Sequence, residues 1–213
     1  DPGPVSKTAF ALVRRRLKSE NLFRARSASA RSNKSMKIWI LNPPFLPKFS
    51  RPQRSPAVTK SGTLYFPIWL AYAAEVLEQA GHAVTLTDAP ARGWTDAEIL
   101  KIGEKMDPAL IVMDTSTPSI QNDIRVAGLL KGALPDATVV LVGTHVSALP
   151  EETLALSDAV DAVARREYEY TLRELAEALD RDPGAGRRSF SGIAGLSYLE
   201  GGAVVHNPDR PFI

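Results

Sequence analysis

Four short polar stretches, each at or one residue beyond the end of an apolar run, hold most of the side chains that could do chemistry in this chain. They are Asn42-Pro43-Pro44-Phe45, then Thr115-Ser116-Thr117-Pro118-Ser119, then Gly143-Thr144-His145-Val146, and finally Arg166-Glu167-Tyr168. Hydroxyls dominate and charges are few. The hydroxyls of Ser116, Thr117 and Ser119 can donate to amide or phosphate oxygens. Gly143 lets a backbone approach closely. Such a set suits a large, mostly uncharged ligand held by many hydrogen bonds and van der Waals contacts.

Several other chemistries lack their residues. No G-x-G-x-x-G follows the first apolar run and no P-loop is present. The acid cluster that a phosphoryl-accepting receiver needs is replaced by Asn42-Pro43-Pro44. Asp88 and Asp114 stand alone and read as caps or turn formers. The three histidines, His82, His145 and His206, are far apart in sequence, and no Ser–His–Asp grouping follows from their spacing. His145 on its own reads as a loop residue with its hydrogen bonds met. The chain has no cysteine, so disulfides, thiolate zinc sites and cysteine-held iron–sulfur clusters within it are excluded.

The elements around these stretches alternate. Lys37–Leu41, His82–Thr87, Ala109–Met113, Thr138–Val142 and Asp161–Ala164 read as strands. Several are continuous apolar runs, as expected of strands buried on both faces. Helices are expected from Pro67 to Gln79, after the capping box Thr95/Glu98, from Ile120 to Leu134, from Pro150, and from Thr171 to Leu179. The long proline-bearing loop up to Tyr65 leaves the carboxyl end of the first strand and reads as functional. Gly195–Leu199 and Ala203–His206 flank Glu200-Gly201-Gly202 and read as a β-hairpin. The fold expected is α/β, a doubly wound five-stranded parallel sheet in the flavodoxin-like order 2-1-3-4-5, with a C-terminal β-hairpin. The four polar stretches then share the carboxyl edge, with the switch point between strands one and three.

Charge divides the chain. Residues 1–35 hold nine Lys/Arg and two Asp/Glu, and the remainder 17 and 22. The first 35 residues read as a disordered basic leader. The rest is mildly acidic and carries no nucleic-acid footprint. No apolar run is long enough for a membrane span, and a cytoplasmic location is expected.

Taken in order, NPPF, FPIWLAYAAEVLEQAGHAVTLTDA, TSTPS, VVLVGTHVSALPEETL, ARREYEYTLRELAEAL and GIAGLSYLEGGAVVHNPDRPFI resemble the cobalamin-binding amino-terminal domain of cobalamin-dependent radical S-adenosylmethionine enzymes. That group includes methyltransferases and the anaerobic oxidative cyclase of bacteriochlorophyll synthesis. The resemblance implies a Rossmann-like cobalamin-binding domain over 36–180, then a linker and hairpin over 181–213 leading to a radical domain that the chain lacks. It implies cofactor contacts from Asn42, Pro43, Thr115, Ser116, Thr117, Pro118, Ser119, Gly143, Thr144, His145, Val146, Arg166, Glu167 and Tyr168. The family pattern Gly-Gly-Pro-His stands here as Gly143-Thr144-His145, and Arg-Gly-Glu-Gly-Glu as Arg165-Arg166-Glu167-Tyr168-Glu169. Both departures put a larger residue where the family has glycine.

The Cys-x-x-x-Cys-x-x-Cys motif of the radical domain is absent. S-adenosylmethionine and the 4Fe-4S cluster therefore belong to the full-length enzyme only, with the radical domain of the same polypeptide as partner. The expected function is a corrinoid-binding module of a truncated methyltransferase or cyclase, not catalytic alone. A flavodoxin-like module for a nucleotide or flavin is the alternative. Many cobalamin domains offer a histidine to cobalt from Asp-x-His-x-x-Gly. Here the loop reads Asn42-Pro43-Pro44-Phe45-Leu46-Pro47, so base-off binding with no histidine ligand is expected.

Overall fold

Strand β1 (Lys37–Asn42) is buried at every position after Lys37, and β3 (Leu110–Thr115) and β4 (Thr138–Gly143) each hold four consecutive buried apolar residues. In a computed structural model describing residues 35–51, 62–182 and 186–212, these strands form the centre of one sheet. The leader expected over 1–35 and the middle of the loop after β1 fall almost wholly outside the described residues. With β2 (Ala83–Asp88), β5 (Ala162–Ala164), β6 (Leu196–Glu200) and β7 (Ala203–His206), the strand order is β2-β1-β3-β4-β5-β6-β7. The first five are parallel, in the order expected.

Alternate residues of each strand feed two different apolar layers, because successive side chains point to opposite faces. Ile38, Ile40, Leu110, Val112, Val140 and Val142 pack on one side against helices α1 (Ile68–Gln79) and α7 (Glu169–Arg181). Trp39, Leu41, Ile111, Met113, Val139 and Leu141 pack on the other. That second layer is closed by α3 (Asp96–Met106), α4 (Ile120–Ala133) and the short α6 (Pro150–Ala155). A one-turn helix, α2 (Ala89–Arg92), follows β2 directly, and Asp88 caps it by accepting from the Ala91 amide. Thr95 and Glu98 form the expected capping box, with Glu98 Oε2 accepting from the Thr95 amide at 2.6 Å.

The structure adds three things to the sequence reading. The polar turn after Gly143 is itself one turn of helix, α5 (Thr144–Ala148). The expected linker packs on the sheet: after α7, a 3₁₀ turn over Gly186–Phe190 buries Phe190 edge-on against Tyr198, with ring centroids 5.5 Å apart. The hairpin does not stand apart. β6 zips antiparallel onto β5, pairing Ala162 with Tyr198 and Ala164 with Leu196, so the sheet has seven strands. Gly201 and Gly202 both adopt positive φ, 60° and 83°, as a tight two-residue hairpin turn requires.

Trp39 is fully buried and its indole N–H donates to Thr87 Oγ1 at 3.0 Å. A Cβ on Gly103 of α3 would lie 2.9 Å from the Trp39 ring and 3.1 Å from Leu134 Cδ1. The indole is anchored by its hydrogen bond and does not retreat freely. Gly103→Ala should therefore lower stability by about 1–2 kcal/mol, even though alanine is the better helix former by roughly 1 kcal/mol. Urea unfolding checks this; an unchanged or raised midpoint would mean the ring gives way.

Candidate functional site

The carboxyl edge is organised by a residue from the loop after β1. Arg51 has a side chain only 1% exposed. Its NH1 donates to Asn42 Oδ1 at 2.7 Å and to the Pro43 carbonyl at 2.6 Å. Its NH2 pairs with Asp123 Oδ1 in α4. Asp123 Oδ2 accepts from Ser119 Oγ at 2.6 Å, and Ser119 Oγ lies 2.8 Å from Ser116 Oγ. Asn42 Nδ2 donates to Asp88 Oδ1 at 2.8 Å, and Asn122 donates to the Pro44 carbonyl at 2.8 Å. One buried network thus ties the ends of β1, β2 and β3 to the start of α4. Burial pushes the Asp123 carboxyl up, and the Arg51 guanidinium and the Ser119 hydroxyl oppose that rise.

Several residues expected to meet a ligand are engaged within the protein. Ser116 and Ser119 belong to the Asp123 network. Thr115 Oγ1 donates to the Val142 carbonyl at 2.7 Å. Val146 is fully buried in the layer under α3 and α4. Asn42 and Pro43 are buried, and both accept from Arg51. Gly143 has φ 113°, and a Cβ there would collide with the Thr115 carbonyl oxygen. Its close approach is to the neighbouring strand.

What remains at the rim is a smaller set. Thr117, Pro118 and Thr144 are exposed. His145 is 7% exposed, and its Nδ1 lies 3.2 Å from Thr117 Oγ1, joining the loops after β3 and β4. Ser147 Oγ donates to the Gly143 carbonyl and accepts from the Arg166 amide, both at 2.8 Å, which ties the β4 loop to the β5 loop. Arg166 has a positive φ of 61°. Its guanidinium pairs with Asp209 at 2.7 Å and lies over the Phe212 ring. Arg165 is buried and bonded to Leu196, Ser197, Asn207 and Asp209, so it holds the hairpin. Glu167 is partly buried. Tyr168 is 5% exposed, and burial pushes its phenol well up.

Two features were not visible in the sequence. Ser197 Oγ, His206 Nδ1, His206 Nε2 and Glu151 Oε1 form a relay at 2.8 and 3.0 Å. Ser197 is fully buried and already accepts from Arg165. The relay therefore staples the hairpin to α6 and offers no accessible nucleophile. Arg51 and Asp123 are 72 residues apart, and no spacing rule connects them. Asp114 could have been placed, since it directly follows the apolar run of β3 and so belongs at the strand end.

A family model described as the B12 binding domain matches residues 54–176. A protein of Pyrococcus horikoshii described as an uncharacterized methyltransferase is 34% identical over 180 residues, which are 84% of this chain and 36% of the relative. The anaerobic magnesium-protoporphyrin IX monomethyl ester cyclase of Rubrivivax gelatinosus is 28% identical over 147 residues, 68% of this chain and 26% of the cyclase. The chain thus spans about a third or less of the length of these two relatives. The cobalamin-dependent S-adenosylmethionine radical enzyme OxsB, solved with aqua-cobalamin and S-adenosylmethionine bound, superposes with a TM-score of 0.66. The match covers 84% of this chain and 23% of OxsB at 17% identity, and shows a shared fold.

Removing one partner of a buried ion pair leaves an uncompensated charge. Asp123→Leu should cost about 3–5 kcal/mol. Combining it with Arg51→Met should recover a large part of that loss, because the stranded guanidinium goes too. Chemical denaturation of the two singles and the double measures the coupling; additive losses would show that the pair does not act as a unit.

Proposed function

The chain belongs to the B12-binding domain family, and on that premise we propose that its carboxyl edge holds a corrinoid as the cobalamin module of a larger radical S-adenosylmethionine enzyme. The observation that carries the reading is the division of labour at that edge. Arg51, Asn42, Asp123, Ser116 and Ser119 bond one another below the surface, while Thr117 and Thr144 are exposed at the rim, His145 lies against Thr117, and the buried Tyr168 hydroxyl has no protein partner among the described residues. This donor set fits the amide-rich periphery of a corrinoid, which is neutral and presents many acceptors.

The residues divide by role. Thr117 and Thr144 donate at the lips of the β3 and β4 loops. His145 is oriented by Thr117, and Pro118 gives an apolar contact beside them. Arg166, Glu167 and Tyr168 form the β5 side. Asn42, Pro43, Thr115, Gly143 and Val146 shape the floor from beneath. When bound, the corrinoid supplies cobalt-centred chemistry such as methyl transfer; the chain's own part is to bind, orient and shield.

The module reading extends to the whole protein through its relatives. Two are named as a methyltransferase and a cyclase, and both are much longer than this chain. S-adenosylmethionine and a 4Fe-4S cluster would be held by a radical domain, since these 213 residues contain no cysteine to ligate a cluster. Residues 36–180 act as the binding domain and the following hairpin as its bridge.

Binding is base-off, with no histidine on cobalt. The loop after β1 has none, and His145 is buried with its Nδ1 directed to Thr117. Gel filtration after incubation with hydroxocobalamin should give coloured protein, and a nucleotide or flavin eluting in its place would favour the alternative. The bound cobalt(II) form should show an electron paramagnetic resonance spectrum without nitrogen superhyperfine splitting. Splitting that disappears in His145→Ala would make His145 the ligand instead.

A further inference from the structure

Asp114 has no role in the network just described. By strand alternation its side chain leaves β3 on the same side as Val112, toward the layer under α1 and α7. Its Oδ1 accepts from the Thr115 amide at 3.0 Å and would lie 2.9 Å from any Cβ on Gly143, so the absent side chain at Gly143 gives the carboxyl its space. Oδ2 has no hydrogen-bond partner among the described residues. Tyr168 borders the same layer, close enough for Asp114 to act on its phenol, and its hydroxyl is likewise unpartnered among the described residues.

We propose that Asp114 and Tyr168 are two hydrogen-bond donors at the carboxyl edge of the sheet that receive amide oxygens of the bound corrinoid. The proposal rests on the corrinoid reading above and adds a recognition residue to it. A tyrosine hydroxyl donates at all ordinary pH values. A carboxyl donates only when it keeps its proton. Loss of hydration raises the Asp114 pKa to about 7. The groups that face it are Arg51 from the loop after β1, Asp88 from the end of β2, Asp123 from α4 and Tyr168 before α7. Arg51 pulls the value down; Asp123 and Asp88 push it up. β4 contributes only Gly143 beside it, which does not titrate. A protonated carboxyl and a phenol both donate, so the ligand groups that fit them are acceptors such as amide oxygens.

The sign of the pH effect follows. If the ligand selects the protonated carboxyl, affinity is greatest below the pKa of the free protein and falls as pH rises through it. Titration with methylcobalamin, whose axial ligand does not ionise in this range, should show affinity falling about tenfold from pH 6 to pH 8 for a group with that pKa. Asp114→Asn keeps a donor that cannot titrate, so its affinity should stay flat over the same range. Tyr168→Phe should weaken binding about three- to tenfold while keeping the wild-type slope. A flat wild-type profile, or an Asp114→Asn profile with the same slope as wild type, overturns the role of Asp114. A wild type that binds methylcobalamin at no pH overturns the corrinoid reading and this inference together. The wild-type slope needs no variant to fold.

Discussion

A guanidinium almost sealed from water must find partners, and at the mouth of this sheet it finds them on two elements and reaches a third through one of them. Arg51 reaches back from the loop after β1 to the end of its own strand and across to α4. Asn42 relays the contact to Asp88 at the end of β2. Leaving a buried charge half-paired is far more costly than leaving a surface one so. The relative positions of β1, β2 and the β3–α4 loop are therefore fixed at the point where an open parallel sheet changes winding direction. The rim residues can be few and weakly bonded because the layer beneath them is not.

That arrangement explains why much of the fold was legible in the sequence and much of the site was not. Strands buried on both faces must be apolar at every position, and runs such as Ala109–Met113 and Thr138–Val142 carry that signature in consecutive residues. The capping box at Thr95 and the glycine pair at Gly201 and Gly202 are equally local signals. Site chemistry depends on which hydroxyl ends up facing which carboxylate. Ser119 and Thr117 are two residues apart and of nearly the same type. One serves Asp123 inside the protein and the other stands at the lip beside His145. Nothing in their spacing separates those fates. Asp114 shows the opposite case: its position after β3 was readable, but its surroundings come from the loop after β1, from β4 and from the start of α7.

The hairpin illustrates how an edge is managed. β5 is only three residues long, and alone it would end the sheet with an open ladder on one side. Pairing with β6 covers it, and Arg165 locks the join through contacts to Leu196, Ser197 and Asn207. The Ser197–His206–Glu151 relay adds a polar tie from the same hairpin to α6. A segment that reads as an appendage in the sequence is thus part of the sheet's cooperative structure.

There is a parity in this hairpin. β6 reverses direction relative to β5 and β7 reverses it again. An even number of reversals returns the backbone to the rim from which it started, whereas a single added strand would have carried it to the far end of the sheet. Residues 207–212 consequently arrive on the carboxyl side, where Asp209 grips Arg165 and Arg166 and Phe212 lies against the latter. The extension widens the sheet without changing its polarity, and the backbone leaving β7 is returned to the carboxyl edge beside the loop after β5.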